Sequence, residues 1–263
     1  RRQPREESVP RINPLKRRLE AGEAAAGVLI TMPSVNLAQV LAAAGFDWLF
    51  IDMEHGSIDL ASAHHLIAAT AGTGCAPLVR VPRPDLALCK PVLDAGAMGV
   101  IFPMVCTREQ AEATVRCVNY PPEGDRGWGP FYAPARWGLK GPMEYFQAAN
   151  REIANIVLIE HIDAVENIEA IMAVPGIDVA TIAPMDLAVS MGHPGDRDHP
   201  EVIAAIERAE KAILASPAAL GGMALSSAEA NAKIARGYRF LVMGYDVMLI
   251  EQIASQLLDG LQR

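Results

Sequence analysis

Cysteine and lysine are scarce in this chain of 263 residues, and positive charge is in deficit. The four cysteines, Cys75, Cys89, Cys106 and Cys117, form neither a CxxC pair nor a zinc-ligand spacing. They are therefore expected to be reduced, buried thiols of a cytoplasmic protein. The five lysines (Lys16, Lys90, Lys140, Lys211 and Lys233) all fall in segments that read as helix or loop. A Schiff-base enzyme needs a partly buried lysine facing its substrate, so their placement favours metal over imine chemistry. No G-x-S-x-G elbow, phosphate loop or dinucleotide fingerprint occurs. No apolar run approaches the roughly 20 residues of a membrane span. The basic start, Arg1 to Arg5, is not followed by an apolar stretch, so no secretory signal is expected. A net charge of −8 argues against nucleic acid as the main partner.

What the chain does have is apolar periodicity. Hydrophobic residues make up 51% and charged residues 21%, enough for a full core. Eight short apolar runs, at residues 27–32, 48–52, 77–81, 99–105, 156–160, 178–183, 221–225 and 240–244, alternate with helix-like segments. Several runs are continuously apolar, as in strands covered on both faces. The pattern and length predict one (β/α)8 barrel over residues 13–263. Residues 1–12, polar and basic with two prolines, read as a loose arm. Asn13 and Pro14 read as N-cap and first residue of an extra helix through residue 21 that closes the bottom of the barrel. Capping boxes are expected at Thr107–Gln110 and Ser226–Glu229, N-caps at Asp85 and Asp163, and a helix stop at Gly237. The long stretch 120–141 is rich in proline and glycine and carries Trp128, Phe131, Tyr132 and Trp137. It either packs under its own aromatics or forms a wall, a lid or a subunit contact.

In such a barrel the reactive groups stand at the carboxyl ends of the strands. Those ends carry Asp52, Glu54, His55, Arg80, Glu160 and Asp186. Glu160 and Asp186 read as closing the neighbouring fifth and sixth strands. Two adjacent carboxylates suit a hard divalent cation, unless arginine neutralises them. Arg80 needs a partner because an unpaired buried charge is costly. It is a structural partner of Glu160 or Glu54, or a fork for a carboxylate or enolate oxygen. His55 suits a general base, and its pairing with Asp52 requires the chain to turn after Glu54, which Gly56 permits. His64, His65, His161, His193 and His199 read as surface or packing residues, His161 being a minor candidate by position.

Several of these segments together resemble the HpcH/HpaI family of class II pyruvate-dependent aldolases. They are GFDWLFIDMEHG at 45–56, VRVP at 79–82, LDAGAMG at 93–99, YPPEGDRG at 120–127, Ile159-Glu160, and IAPMDL at 182–187. The resemblance runs from about residue 14 to the C-terminus. It implies reversible retro-aldol cleavage of a 4-hydroxy-2-oxo acid to pyruvate and an aldehyde, through an enolate held on Mg²⁺, Mn²⁺ or Co²⁺. His55 resembles the catalytic base, Arg80 the enolate-stabilising arginine, and Glu160 and Asp186 the two protein ligands of the cation. Asp94 resembles an acid that raises the basicity of the histidine, a role Asp52 is close enough in sequence to share. The resemblance also implies a trimer or hexamer in which the last helix is swapped between barrels.

Three positions depart from the family pattern. Leu158 stands where many members carry a glutamine that helps bind pyruvate, and Ala183 and Met185 replace the usual glycine and small residue before the metal aspartate. These positions, with Arg80 and Asp186, are expected to line the substrate site. The rival readings are another lyase on the same enolate chemistry, such as oxaloacetate decarboxylation or cleavage of a citryl-CoA-like ester, and a silent barrel that only binds a ketoacid.

Overall fold

The computed structural model describes residues 12–261; most of the expected N-terminal arm, residues 1–11, lies outside them. In chain order the elements are α1 (Pro14–Glu20), β1 (Ala25–Ile30), α2 (Val35–Ala43), β2 (Trp48–Asp52), α3 (Leu60–Ala69), β3 (Ala76–Arg80), α4 (Leu86–Asp94) and β4 (Gly99–Phe102). There follow α5 (Arg108–Val118), α6 (Ala133–Arg136), α7 (Pro142–Glu152), β5 (Ala154–Ile159), α8 (Ile162–Glu166), α9 (Ile168–Met172) and β6 (Val179–Ile182). The chain ends with α10 (Pro184–Ser190), α11 (Pro200–Leu214), β7 (Ala219–Met223), α12 (Ser227–Ala235), β8 (Phe240–Tyr245) and α13 (Asp246–Leu258). The strands pair in sequence order, all parallel, and β8 returns to β1 to close the barrel. The expected (β/α)8 barrel with an extra N-terminal helix is therefore the fold.

Strand alternation divides the core in two. Trp48 and Phe50 of β2, Ala76 and Leu78 of β3, Ile156 and Leu158 of β5, and Phe240 and Val242 of β8 pack together inside the barrel. Their sequence neighbours Leu49, Ile51, Val79, Val157, Ile159 and Leu241 face outward and pack under the helices. This parity explains why the strands are apolar at every position. It also directs the next inward positions, Asp52, Arg80 and Glu160, to the top of the interior. At the opposite end Asn13 caps α1, and its amide donates to the carbonyls of Met98 (2.8 Å) and Glu152 (2.7 Å), fastening the plug.

The Thr107–Gln110 capping box forms in full, Asp85 caps α4, and Gly237 adopts φ 102° after α12. Three local expectations change. His161, not Asp163, caps α8. At α12 the Glu229 carboxylate accepts from Leu225, one residue before the Ser226 N-cap, so only half of the expected box forms. The fourth run stops as strand at Phe102 because Pro103 has no N–H with which to continue the ladder. The stretch 120–141 contains α6 and buries Tyr120 and Trp137 while leaving Trp128, Phe131 and Tyr132 exposed, so it packs under only part of its aromatic complement.

Trp48 stacks on Phe240 with centroids 3.9 Å apart and lies over Gly27, where any Cβ would enter the indole ring. Overpacking of this kind costs about 1–3 kcal/mol. Gly27→Ala should therefore lower the melting temperature by about 5 °C. An unchanged melting temperature would refute this account of the barrel floor.

Candidate active site

The mouth of the barrel holds a cavity of about 200 Å³ lined by His55, Arg80, Leu158, Glu160, Ala183, Met185 and Asp186 among others. All the residues predicted for the site line it except Asp52 and Asp94. Asp52 lies directly behind Arg80. The two are register partners on β2 and β3, and both are buried. Arg80 grips Asp52 with two bonds, Nε to Oδ1 at 2.8 Å and Nη2 to Oδ2 at 2.6 Å. Nε also lies 3.2 Å from Oε2 of Glu54. Burial alone would raise the Asp52 pKa, but Arg80 and the N–H groups of Glu54 and His55 together hold it below the usual carboxylate range. Nη1 of Arg80 makes no hydrogen bond among the described residues. Its pinned fork thus keeps the Nη1 N–H groups for a ligand.

This bonding corrects the expected role of Asp52. Its carboxylate is spent on Arg80 and does not reach the His55 ring. What it does for His55 is local: Oδ1 accepts the N–H of Glu54 (3.0 Å) and of His55 (3.3 Å), which bends the chain immediately after β2. The turn comes two residues earlier than expected. The His55 side chain is 73% exposed and meets Glu54 at 3.8 Å. Glu54, one of the two partners the sequence offered for Arg80, is the one that reaches Nε, beside Asp52.

Glu160 follows the last residue of β5 and is 7% exposed. Its pKa stands at about 7: burial raises it most, the Asp186 and Glu54 charges add to the rise, and the Met104 N–H and Arg80 draw it back down. The Met104 N–H reaches Oε1 at 2.7 Å. Met104 adopts φ 52°, in the left-handed region that side chains other than glycine rarely occupy. The strained backbone aims a donor at the carboxylate, a contribution to which Pro103 was the only sequence clue. Asp186 is not at a strand end. β6 stops at Ile182, and Asp186 is the third residue of α10, exposed at the rim. The helix start at Pro184 turns it back over the mouth toward Glu160. Three carboxylates, Glu54, Glu160 and Asp186, thus interact around a single arginine. A carboxyl raised to about 7 mainly by burial, with the Asp186 carboxylate beside it, is a donor pair that could hold a divalent cation.

Asp94 lies elsewhere. It ends α4, and its Oδ1 accepts from Nη2 of the buried Arg126 at 2.6 Å. Within one chain the structure does not bring it to His55.

Comparisons with known proteins establish the family. The family model "HpcH/HpaI aldolase/citrate lyase" matches residues 27–252. This chain belongs to that family. It is 42% identical to the hydroxypyruvate/pyruvate aldolase of Cupriavidus necator, over 95% of this chain and 92% of that protein. It is 38% identical to the 2-keto-3-deoxy-L-rhamnonate aldolase of Klebsiella pneumoniae, over 94% and 92%. Among solved structures, an HpcH/HpaI aldolase/citrate lyase family protein from Burkholderia cenocepacia superposes with a TM-score of 0.85 at 35% identity, covering 94% of this chain and 98% of that one. The chain is an aldolase, a carbon–carbon lyase.

The raised Glu160 pKa has a measurable sign. The folded carboxyl keeps its proton up to about 7, against 4.5 for an ordinary glutamate, so through this group the cation-free protein loses stability as pH rises across that interval. If Glu160 is a cation ligand, binding needs its ionised form, and stabilisation by an added divalent cation such as Mg²⁺ should grow over the same range. Thermal unfolding with chelator and with Mg²⁺, from about pH 5 to about pH 8, tests this; Glu160→Gln should flatten both trends. Trends that persist in that variant would assign them to another group.

Proposed function

We propose that the protein cleaves a 4-hydroxy-2-oxo acid to pyruvate and an aldehyde, and catalyses the reverse addition, with Glu160 and Asp186 holding a divalent cation. The observation that carries this reading is the convergence of Glu54, Glu160 and Asp186 around a pinned Arg80 at one barrel mouth. The cation, whether Mg²⁺, Mn²⁺ or Co²⁺, would act as a Lewis acid toward the carboxylate and 2-oxo oxygen of the ketoacid.

The remaining steps belong to the protein's own side chains. Leu158, Ala183 and Met185 shape the space against the ketoacid. His55, directly or through one water, takes the proton of the 4-hydroxyl. The C3–C4 bond then breaks: the hydroxyl carbon leaves as the aldehyde, and the bond's electron pair passes to C3 and the 2-oxygen as an enolate. Arg80 faces that developing negative charge, and because Asp52 already fixes its guanidinium, little reorganisation is needed as the charge forms. His55 then delivers the proton it took to C3, which gives pyruvate and restores the base. In the synthetic direction His55 returns its proton to the new hydroxyl.

Asp94 enters this scheme only through a neighbouring subunit. We infer that Asp94 of one barrel supports His55 of the next in a trimer or hexamer. Two observations support an assembly: α13 carries Ile250, Ile253, Leu257 and Leu258 exposed, and an apolar groove of about 420 Å³ lies between α13 and Leu37 and Leu41 of α2. A swapped α13 would cover both. Among the described residues no helix is long and apolar enough to cross a membrane, and the four cysteines are free, three of them buried. These facts support a cytoplasmic setting.

Exchange of the pyruvate methyl protons in D₂O, followed by NMR, tests the scheme without knowledge of the aldehyde. Exchange should require Mg²⁺ or Mn²⁺, stop with chelator, and vanish in His55→Ala, Glu160→Gln and Asp186→Asn. Arg80→Ala should slow it by roughly 10²–10³-fold, the effect of losing an oxyanion donor. Exchange that survives chelation, or an Arg80→Ala protein near the normal rate, would overturn the assignment.

A further inference from the structure

His193 and His199 read in the sequence as surface or packing residues, and the barrel mouth uses neither. Folding brings them together. His193 follows α10, where its N–H donates to the carbonyl of Ala188 at 2.8 Å. His199 is the N-cap of α11. Between them Gly195, at φ 82°, supplies a left-handed conformation that lets the chain fold back. The N–H groups of Asp196 and His199 brace the return on the carbonyls of His193 (3.1 Å) and Asp196 (3.3 Å). The two imidazole rings lie face to face with centroids 3.5 Å apart. Nε2 of His193 meets Oε2 of Glu201, in the first turn of α11, at 3.1 Å. A ring nitrogen of each histidine and a carboxylate oxygen of Glu201 all lie within 4.8 Å of one another. Both histidines are half-buried and Glu201 is exposed.

Two imidazole nitrogens and one carboxylate are a donor set for a borderline divalent metal such as Zn²⁺, Co²⁺ or Ni²⁺, whereas Mg²⁺ takes an oxygen shell. Tetrahedral zinc, with bonds of about 2.0–2.1 Å to nitrogen, holds its ligand atoms about 3.3 Å apart. The three donors here need to close in by no more than about 1.5 Å to reach that spacing. Stacked rings point their in-plane lone pairs side by side, so coordination turns one ring out of the stack. His199 is the ring with less to lose: its Nδ1 accepts the Glu201 N–H at 3.3 Å, a long bond. The backbone need not move, because both histidines are fixed at helix ends. We propose that His193, His199 and Glu201 form a site for a zinc-type divalent metal, separate from the carboxylates of the barrel mouth, with water completing the coordination. None of the three lines the mouth cavity. A metal here clips the end of α10 to the start of α11, so its effect is on stability rather than on the reaction. The inference does not depend on the function proposed above.

The test uses the full chain without an affinity tag, stripped by chelator, dialysed, and titrated with Zn²⁺ by calorimetry and with Co²⁺ by visible absorption. The Glu160→Gln/Asp186→Asn protein, which lacks the mouth carboxylates, should still bind Zn²⁺, and its melting temperature should rise with the metal. In that background His193→Ala, and separately His199→Ala, should weaken Zn²⁺ by more than about 100-fold, beyond the cost of losing only an outer-shell partner. Glu201→Gln should weaken it by about tenfold. Bound Co²⁺, being paramagnetic, should broaden the ring-proton NMR signals of His193 and His199. With chelator present, His193→Ala should melt with its parent protein, because an exposed pair of this kind adds little stability; this separates a lost ligand from lost folding. Zn²⁺ affinity that survives removal of both histidines, or no Zn²⁺ binding by the Glu160→Gln/Asp186→Asn protein, would overturn the proposal. Zn²⁺ binding by the unmodified chain that persists in Glu160→Gln/Asp186→Asn and disappears in His193→Ala would uphold this site while removing the cation from the mouth, so the two readings fail separately.

Discussion

The ion pair between Asp52 and Arg80 governs the geometry of the site. Two charges at the top of an apolar barrel interior are tolerable only if each satisfies the other. Register between β2 and β3 sets them side by side, and the guanidinium takes the carboxylate in a two-point grip. Because Asp52 also accepts two backbone N–H groups, the same contact bends the chain that carries Glu54 and His55. One pair thus fixes the orientation of the arginine, the turn after β2 and the approach of the histidine.

Around that pair the balance of charge is left negative. Glu54, Glu160 and Asp186 outnumber the single arginine, and burial forces Glu160 to compete for a proton near neutral pH. The backbone spends conformational strain on one of these groups: Met104 holds a left-handed conformation in order to present its N–H to Glu160. Strain and unbalanced charge concentrated at one point mark a position shaped for a ligand rather than for stability.

The single chain leaves other surfaces uncovered. His55 is exposed at the mouth, Asp94 is held by Arg126 away from it, and α13 stands with much of its apolar side in solvent. A second barrel supplying an acid to the first and accepting its last helix would answer all three with one interface. The exposed Trp128, Phe131 and Tyr132 lie on the same stretch as Arg126, which is consistent with a subunit contact on that side.

Much of this was legible in the residues. Apolar runs separated by capped helices dictate a parallel barrel, because strands covered on both faces have no polar alternation to hide. Strand parity likewise directs Asp52, Arg80 and Glu160 inward once the strand ends are known. The motifs at 45–56, 79–82 and 182–187 carried the family and its chemistry. What linear order could not reveal was partnership. Asp52 and Arg80 are 28 residues apart, and their pairing depends on strand register. Asp186 reads as a strand end but is lifted onto a helix by Pro184, and Asp94 is turned to Arg126 by the loop that follows α5. The sequence by itself determined the barrel, its layers and the inventory of charged groups, since these follow from local periodicity and turn chemistry. Only the tertiary structure decided which charges neutralise each other and which remain free for a substrate, since that depends on distances between residues the chain keeps far apart.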